Sequence, residues 1–152
     1  MAAEFIDLLA IPQLDIGHSK KVLFTSDHFH TWIHGDYPGT KGPMHKHTAD
    51  QQFYCVKGEC TFHFPDGMSR KLTPGILVTI PAGQLYQLDN SGDEYMILLG
   101  ARAEAAAQPR FTGDDKVVTV HDYAKQNLEK INAPEEKKTK ARAEACSQEI
   151  DQ

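Results

Sequence analysis

Between residues 21 and 102, short β-type runs alternate repeatedly with turn residues, a pattern that limits the fold to a few all-β classes. Runs rich in Val, Ile, Thr, Phe and Tyr are interrupted by Gly, Pro, Asp or Asn, at the spacing of about 8 to 12 residues that is typical of antiparallel all-β domains. Because so many short strands would expose sheet edges, we expect them to close into a barrel. The predicted strands span 21–25, 28–34, 42–47, 52–57, 59–64, 69–72, 76–80, 85–88 and 95–101.

Length and charge exclude several classes of protein. The chain has 152 residues, enough for one domain with extensions but too few for two full cores. Its formal net charge is −5, whereas a nucleic-acid-binding protein needs a basic face. No apolar run approaches the ~20 residues of a membrane span, and the N-terminus lacks the pattern of a secretory signal. We therefore expect a cytoplasmic protein with neither a nucleic-acid nor a membrane partner.

The cysteines agree with that location. An odd number, Cys55, Cys60 and Cys146, provides no disulfide framework and no CxxC pair, as expected in a reducing compartment. Cys55 and Cys60 flank a turn, and we interpret them as small buried apolar residues rather than a redox or metal pair.

The two ends of the chain differ from the central region. Residues 1–20 are predicted to form an N-terminal arm with one short amphipathic turn or strand that covers the barrel, which itself spans 21–102. Residues 103–152 are predicted to form a polar C-terminal extension. Lys, Glu, Ala and Gln dominate it from residue 133 onward, so we expect a partly helical or disordered tail.

One pair of histidines carries the first chemical signal. His45 and His47 are alternate residues of a predicted strand, so both imidazoles would point to the same side. Two imidazoles one strand step apart can chelate a single metal ion, although such a pair alone is a weak indication.

The residues around this pair form two blocks with fixed spacing. The first block contains Gly39, His45, His47, Gln51 and Gly58, and the second contains Gly75, Pro81, Gly83, Tyr86 and Asn90. In residue types and spacing, the two blocks resemble the two signature motifs of the cupin family. The resemblance covers residues 39–90 directly and about 21–102 by strand pattern. It implies an all-β double-stranded β-helix, or jelly-roll, barrel, often a homodimer, with a metal bound inside.

Two motif positions depart from the family pattern. Gln51 stands where the family usually has Glu, and Tyr86 stands where it usually has a third His. The resemblance therefore implies one divalent metal ion, Fe, Ni, Mn or Zn, bound by His45, His47, Gln51 and Tyr86. A neutral amide is a weaker ligand than a carboxylate, so a metal-free barrel stays an alternative.

The substitutions also affect the predicted mechanism. Gln51 cannot act as a general base, which leaves Tyr86 as the candidate catalytic acid or base. A phenolate on iron would favour the oxidised metal, so we expect a metal-dependent enzyme that acts on a small organic molecule by redox-neutral lyase, isomerase or cyclase chemistry. Cupins that linearise unsaturated uronates, ectoine synthase and cupin dimethylsulfoniopropionate lyases have similar ligands. The alternatives are an iron-dependent dioxygenase and a metal-poor cupin that binds a sugar-like molecule without catalysis.

Strand parity predicts the substrate pocket. Phe53 shares a face with Gln51, and Gln84 and Leu88 share a face with Tyr86. Phe53 and Leu88 could equally be core residues. His28, His30, Trp32 and His34 alternate along an earlier strand, which would place Trp32 and His34 in the pocket if that face is interior. If that face is exposed to solvent or a dimer partner, these are surface residues.

Overall fold

The computed structural model describes residues 2–14, 20–104 and 109–118. The described chain forms β-strands separated by turns, and no helix in this part could cross a membrane. The strands are β1 (Lys20–Thr25), β2 (His30–Asp36), β3 (Gln51–Lys57), β4 (Cys60–His63), β5 (Ser69–Leu72), β6 (Leu77–Ile80), β7 (Gln87–Asp89) and β8 (Met96–Arg102).

Two antiparallel sheets enclose the interior. The larger has the strand order β1-β2-β8-β3-β6, and the smaller has the order β5-β4-β7. In the larger sheet, β8 lies between β2 and β3, and all of its residues pair with β2. The non-sequential order is that of a jelly roll, so the all-β barrel predicted from the sequence is confirmed.

Residues 42–47 differ from the prediction. They are not a continuous strand, and only isolated bridges join His45 to Tyr86 and Lys46 to Phe111. Pro43 supplies a physical reason, because proline has no backbone N–H to donate to a ladder. The segment still extends beside Tyr86, since the backbone N–H groups of His45 and Tyr86 each donate to the other's carbonyl at 3.0 Å.

The interior is packed from both sheets. Strand β3 buries alternate residues, Gln51, Phe53 and Cys55, while Gln52 and Tyr54 are exposed, as the period of two requires. The ring of Phe53 lies 5.8 Å from that of Phe62 on the opposite sheet. The buried apolar residues of this interior are Trp32, Phe53, Cys55, Cys60, Phe62, Leu72, Ile80, Tyr86, Leu88, Met96 and Leu98.

A second cluster covers the outer face of the larger sheet. Ile33, Tyr37, Tyr95 and Ile97 form it, with Leu8 and Ile11 of the N-terminal arm packed against it, among others. The backbone N–H of Leu14 donates to the hydroxyl of Tyr95 at 2.9 Å. The described part of the arm therefore packs on the barrel.

A short segment after the barrel returns to the histidine motif. The backbone of Phe111 exchanges hydrogen bonds with that of Lys46, at 2.7 and 2.9 Å, and Lys46 forms a 2.6 Å ion pair with Asp115. Residues 109–118 therefore pack beside His45 and His47. Of the C-terminal extension predicted at 103–152, residues 105–108 and 119–152 lie outside the described part of the structure.

Candidate functional site

The two motif histidines lie inside the barrel. His45 is 5% exposed and His47 is 3% exposed, and their ring centroids are 5.1 Å apart. The ring of Tyr86 lies 4.6 Å from that of His45. The chain thus brings together the residues of both predicted motif blocks, although His45 and Tyr86 are 41 positions apart in sequence.

The hydrogen bonds of His45 determine which nitrogen carries its proton. Nδ1 lies 2.8 Å from the carbonyl oxygen of Pro43, and a carbonyl can only accept, so Nδ1–H is the donor. Nε2 of the neutral ring is then an acceptor. The hydroxyl of Tyr86, at 3.0 Å from Nε2, donates to it.

Gln51 completes a hydrogen-bonded chain with these residues. Its side chain hydrogen-bonds Tyr86, while its Oε1 atom is buried without a partner. The bond is therefore donated by Nε2–H of Gln51 to the phenol oxygen. All of these hydrogen bonds are donated in one direction: Gln51 donates to Tyr86, Tyr86 donates to His45, and His45 donates to Pro43.

His47 has the opposite arrangement. Its Nδ1 lies 3.1 Å from Nη1 of Arg102, and a guanidinium has no acceptor atom, so Nδ1 of His47 accepts. The neutral ring then carries its proton on Nε2. Arg102 is itself held by Glu104, whose Oε1 lies 2.8 Å from its Nε in an ion pair.

Burial keeps the side chains of His45, His47 and Tyr86 uncharged. Burial lowers the pKa of His45 to about 3, with further lowering by the positive charges of Arg110 and Lys20, against the raising effect of the Pro43 hydrogen bond. Burial, the neighbouring His45 and the charge of Arg102 lower the pKa of His47 to about 2. Burial also raises the pKa of the Tyr86 phenol well above its ordinary value. Both imidazoles and the phenol are therefore neutral at neutral pH.

The donor set does not fit a divalent cation in this arrangement. None of the predicted ligands is negatively charged, and the lone pairs of His45 Nε2 and His47 Nδ1 are both occupied by donors. The guanidinium beside His47 adds a positive charge. Among the described residues, no three His, Cys, Asp or Glu side chains form a group that could hold a metal ion. The assignment of His45, His47, Gln51 and Tyr86 as metal ligands stays a prediction.

The predicted pocket residues divide into two groups. Phe53 is 2% exposed and Leu88 is 6% exposed, and both belong to the interior. Gln84 is the exception, because it is exposed and donates from Nε2 to the carbonyl of Leu85. It precedes β7 in a turn, so strand parity does not extend to it.

The inward face of β2 supplies the remaining polar groups. The ring of Trp32 packs edge-on against Phe53 at 5.6 Å, and His30 stacks on Trp32 at 5.1 Å. His34 pairs through Nε2 with Oδ2 of Asp36 at 2.8 Å. Of the two alternatives for this face, interior or exposed, the interior one applies to His30, Trp32 and His34. His28 is exposed. The buried atoms His30 Nδ1, Trp32 Nε1 and His34 Nδ1 have no hydrogen-bond partner.

Arg102 is the site residue that sequence reasoning missed. It shares the parity of Leu98 and Gly100 on β8, and the buried Leu98 already indicates an inward face. This alternation was the signal in the sequence that indicated an inward side chain at Arg102. Arg102 was not considered because it is the last residue of the predicted barrel.

Comparisons with known proteins agree with this architecture. The family model for the cupin domain matches residues 33–101, and no curated protein was found to match the sequence. A protein with a double-stranded beta-helix domain from Klebsiella pneumoniae is 19% identical, with a TM-score of 0.63 over 70% of this chain and 95% of the other. An RmlC-like cupin protein from Desulfovibrio desulfuricans is 17% identical, with a TM-score of 0.60 over 67% and 97%.

A third solved structure has the same fold. The cupin domain from Bordetella pertussis is 20% identical, with a TM-score of 0.51 over 57% of this chain and 92% of the other. At these identities the likeness concerns the fold, which the family model supports independently through the sequence. Residues 33–101 of this chain match the cupin domain, and its barrel has the cupin fold.

Proposed function

We propose that the barrel binds a small polar organic molecule through its buried hydrogen-bonding groups and needs no metal ion to do so. The observation that carries this proposal is a set of buried polar atoms without partners. They are Oε1 of Gln51, Nε1 of Trp32, and Nδ1 of His30 and of His34.

Such atoms are expensive to bury. A buried donor or acceptor without a partner costs about 1–3 kcal/mol, and natural interiors hold few of them. Here several line one interior, and they include both acceptors and a donor-only group, the indole N–H of Trp32. A polar ligand that pairs with them would recover this cost.

The metal-dependent functions predicted from the sequence need a different donor set. Both the redox-neutral lyase or isomerase and the iron-dependent dioxygenase require free lone pairs on His45 and His47. Arg102 and Tyr86 occupy those lone pairs. The occupied lone pairs of His45 and His47 therefore favour the metal-poor binding cupin among the predicted alternatives.

A redox-neutral enzyme that transfers one proton is the second candidate. Its support is the chain from Gln51 through Tyr86 to His45, in which the phenol proton faces an unprotonated imidazole nitrogen. Tyr86 would then be the acid or base and His45 its partner. In that case Tyr86→Phe would abolish turnover while ligand binding remained.

The test uses the full chain after treatment with a chelator. Trp32 is the only tryptophan, so its fluorescence reports on the interior during titration with sugars, polyols, phenols, amides and organic acids. We expect saturable binding of at least one class without added metal. Gln51→Leu should weaken that binding, whereas Gln52→Leu, on the exposed side of the same strand, should not.

Two results would contradict the proposal. Binding that occurs only after Fe²⁺, Ni²⁺, Mn²⁺ or Zn²⁺ is added would favour the predicted metal site instead. Equal effects of the Gln51 and Gln52 substitutions would show that the interior is not the binding site. The homodimer and the cytoplasmic location also stay predictions.

A further inference from the structure

Two cationic groups face the same buried ring. Nζ of Lys20 lies 5.0 Å from the ring centroid of Trp32, and the guanidinium carbon of Arg102 lies 5.4 Å from it. Trp32 is 1% exposed. Lys20 is exposed as a residue, so its stem lies at the surface while its ammonium group turns toward the interior.

A third cation comes from the segment that returns to the histidine motif. Arg110 lies directly before Phe111, and its carbonyl accepts a 2.8 Å hydrogen bond from the backbone N–H of Val118. Its charge contributes to lowering the pKa values of His45, His47 and Lys20. Arg110 is therefore close enough to the interior to act on groups from several parts of the barrel.

The carboxylates nearby do not balance these cations. Glu104 pairs with Arg102, and Asp36 contacts His34. Neither Lys20 nor Arg110 has an ion-pair partner within the described ranges. Among the described residues, three basic side chains and two carboxylates lie in this region, so one positive charge is left for a ligand to neutralise when Lys20 is protonated.

Unpartnered polar atoms flank Arg102 in the sheet. The strand register places His30 and Gln51 on either side of Arg102. His30 on β2 and Gln51 on β3 both pair with Arg102 on the central strand β8. Residues in register on neighbouring strands lie about 5 Å apart. Nδ1 of His30 and Oε1 of Gln51 are both without partners, so an acceptor that needs a donor lies beside the guanidinium.

From this arrangement we infer the class of ligand, on the basis of the function proposed above. The barrel binds a small hydroxy acid with a single carboxylate. Lys20, Arg102 and Arg110 attract the carboxylate beside Trp32, and the ligand hydroxyl donates to Oε1 of Gln51. A phosphate monoester carries about −1.5 to −2 charges at neutral pH, which exceeds the unbalanced charge of the site.

The experiment measures Kd from Trp32 fluorescence with defined probes. Gluconate and lactate are compared with the neutral sorbitol and lactamide, and with glycerol phosphate. We expect both carboxylates to bind at least about tenfold more tightly than their neutral counterparts. Lys20→Gln and Arg110→Gln should each raise Kd for gluconate about tenfold, while Lys21→Gln, next to Lys20 on β1, should leave it unchanged.

Several outcomes would overturn this inference. Equal affinity for sorbitol and gluconate, equal effects of the Lys20 and Lys21 substitutions, tighter binding of glycerol phosphate, or no response to either carboxylate would each do so. Failure of this kind is distinct from failure of the proposed function. If other compounds of the polar panel still bind to the metal-stripped protein, the proposed function stands and only the ligand class is wrong.

Discussion

Nη1 of Arg102 donates across 3.1 Å to Nδ1 of His47, one of the predicted metal ligands. This bond places the proton of neutral His47 on Nε2. His45 has the opposite tautomer, because its Nδ1–H donates to Pro43. Two histidines separated by one residue thus present different chemistry to the same interior, and this difference distinguishes a hydrogen-bonding site from a chelating one.

Tyr86→Phe tests the hydrogen-bonded chain. The substitution keeps the ring but leaves Nε2 of His45 and Nε2 of Gln51 without a partner in a buried site. We expect the free energy of unfolding to fall by about 1–3 kcal/mol, measured by urea denaturation. Tyr54→Phe, at an exposed position, is the control and should change stability little. An equally small effect of both variants would show that the hydrogen bonds joining Gln51, Tyr86 and His45 are not formed.

Gly100→Ala tests the position of Trp32. A Cβ at residue 100 would clash with Cε2 of the Trp32 indole, so the ring or the strand must move. We expect a loss of about 1–3 kcal/mol together with a changed Trp32 emission spectrum. Gly42→Ala is the control, since the nearest atom there is 3.9 Å away. Unchanged emission in the Gly100 variant would argue against this packing.

The two barrel cysteines should be chemically inert in the native protein. Burial raises the pKa of Cys55 to about 11 and that of Cys60 to about 12, so neither thiol forms much thiolate at about pH 8. We expect iodoacetamide to leave both unmodified natively and to alkylate both in urea. Peptide mass spectrometry reports each cysteine separately. Rapid native alkylation of Cys60 would contradict its burial.

Binding of gluconate should weaken as the pH rises above about neutral. Burial of the Lys20 ammonium group, together with the positive charges of Arg110 and Arg102, lowers the pKa of Lys20 to about 7. The negative charge of Asp36 opposes this shift. Lys20 is therefore charged below that pH and neutral above it, and only the charged form attracts a carboxylate. Kd measured across this range should rise with pH in the native sequence and stay flat in Lys20→Gln. Parallel profiles would show that Lys20 does not contact the anion.

Much of the fold was predictable from local patterns. The turn residues and period of two located most strands, and parity correctly placed Phe53 and Gln51 on one inward face. Pro43 prevented the strand predicted at 42–47, because a missing donor interrupts a ladder even where the chain is extended. Gln84 could not be placed by parity, since it lies in a turn.

The chemistry of the site was less predictable. The motif spacing predicts that His45, His47 and Tyr86 approach one another, and they do. It carries no information about the tautomer of His47, which depends on Arg102 from a distant strand. Neither does sequence periodicity predict that a long side chain at the edge strand, Lys20, turns back over Trp32.

Long-range ¹H–¹⁵N correlation spectroscopy of the two motif histidines measures their tautomeric states, on which a metal-free hydrogen-bonding site depends. We predict the Nδ1–H tautomer for His45 and the Nε2–H tautomer for His47 in the chelator-treated protein. Adding one equivalent of diamagnetic Zn²⁺ should leave both sets of signals in place. Two Nδ1–H tautomers whose Nε2 resonances shift together on addition of Zn²⁺ would instead show that His45 and His47 form a chelating pair.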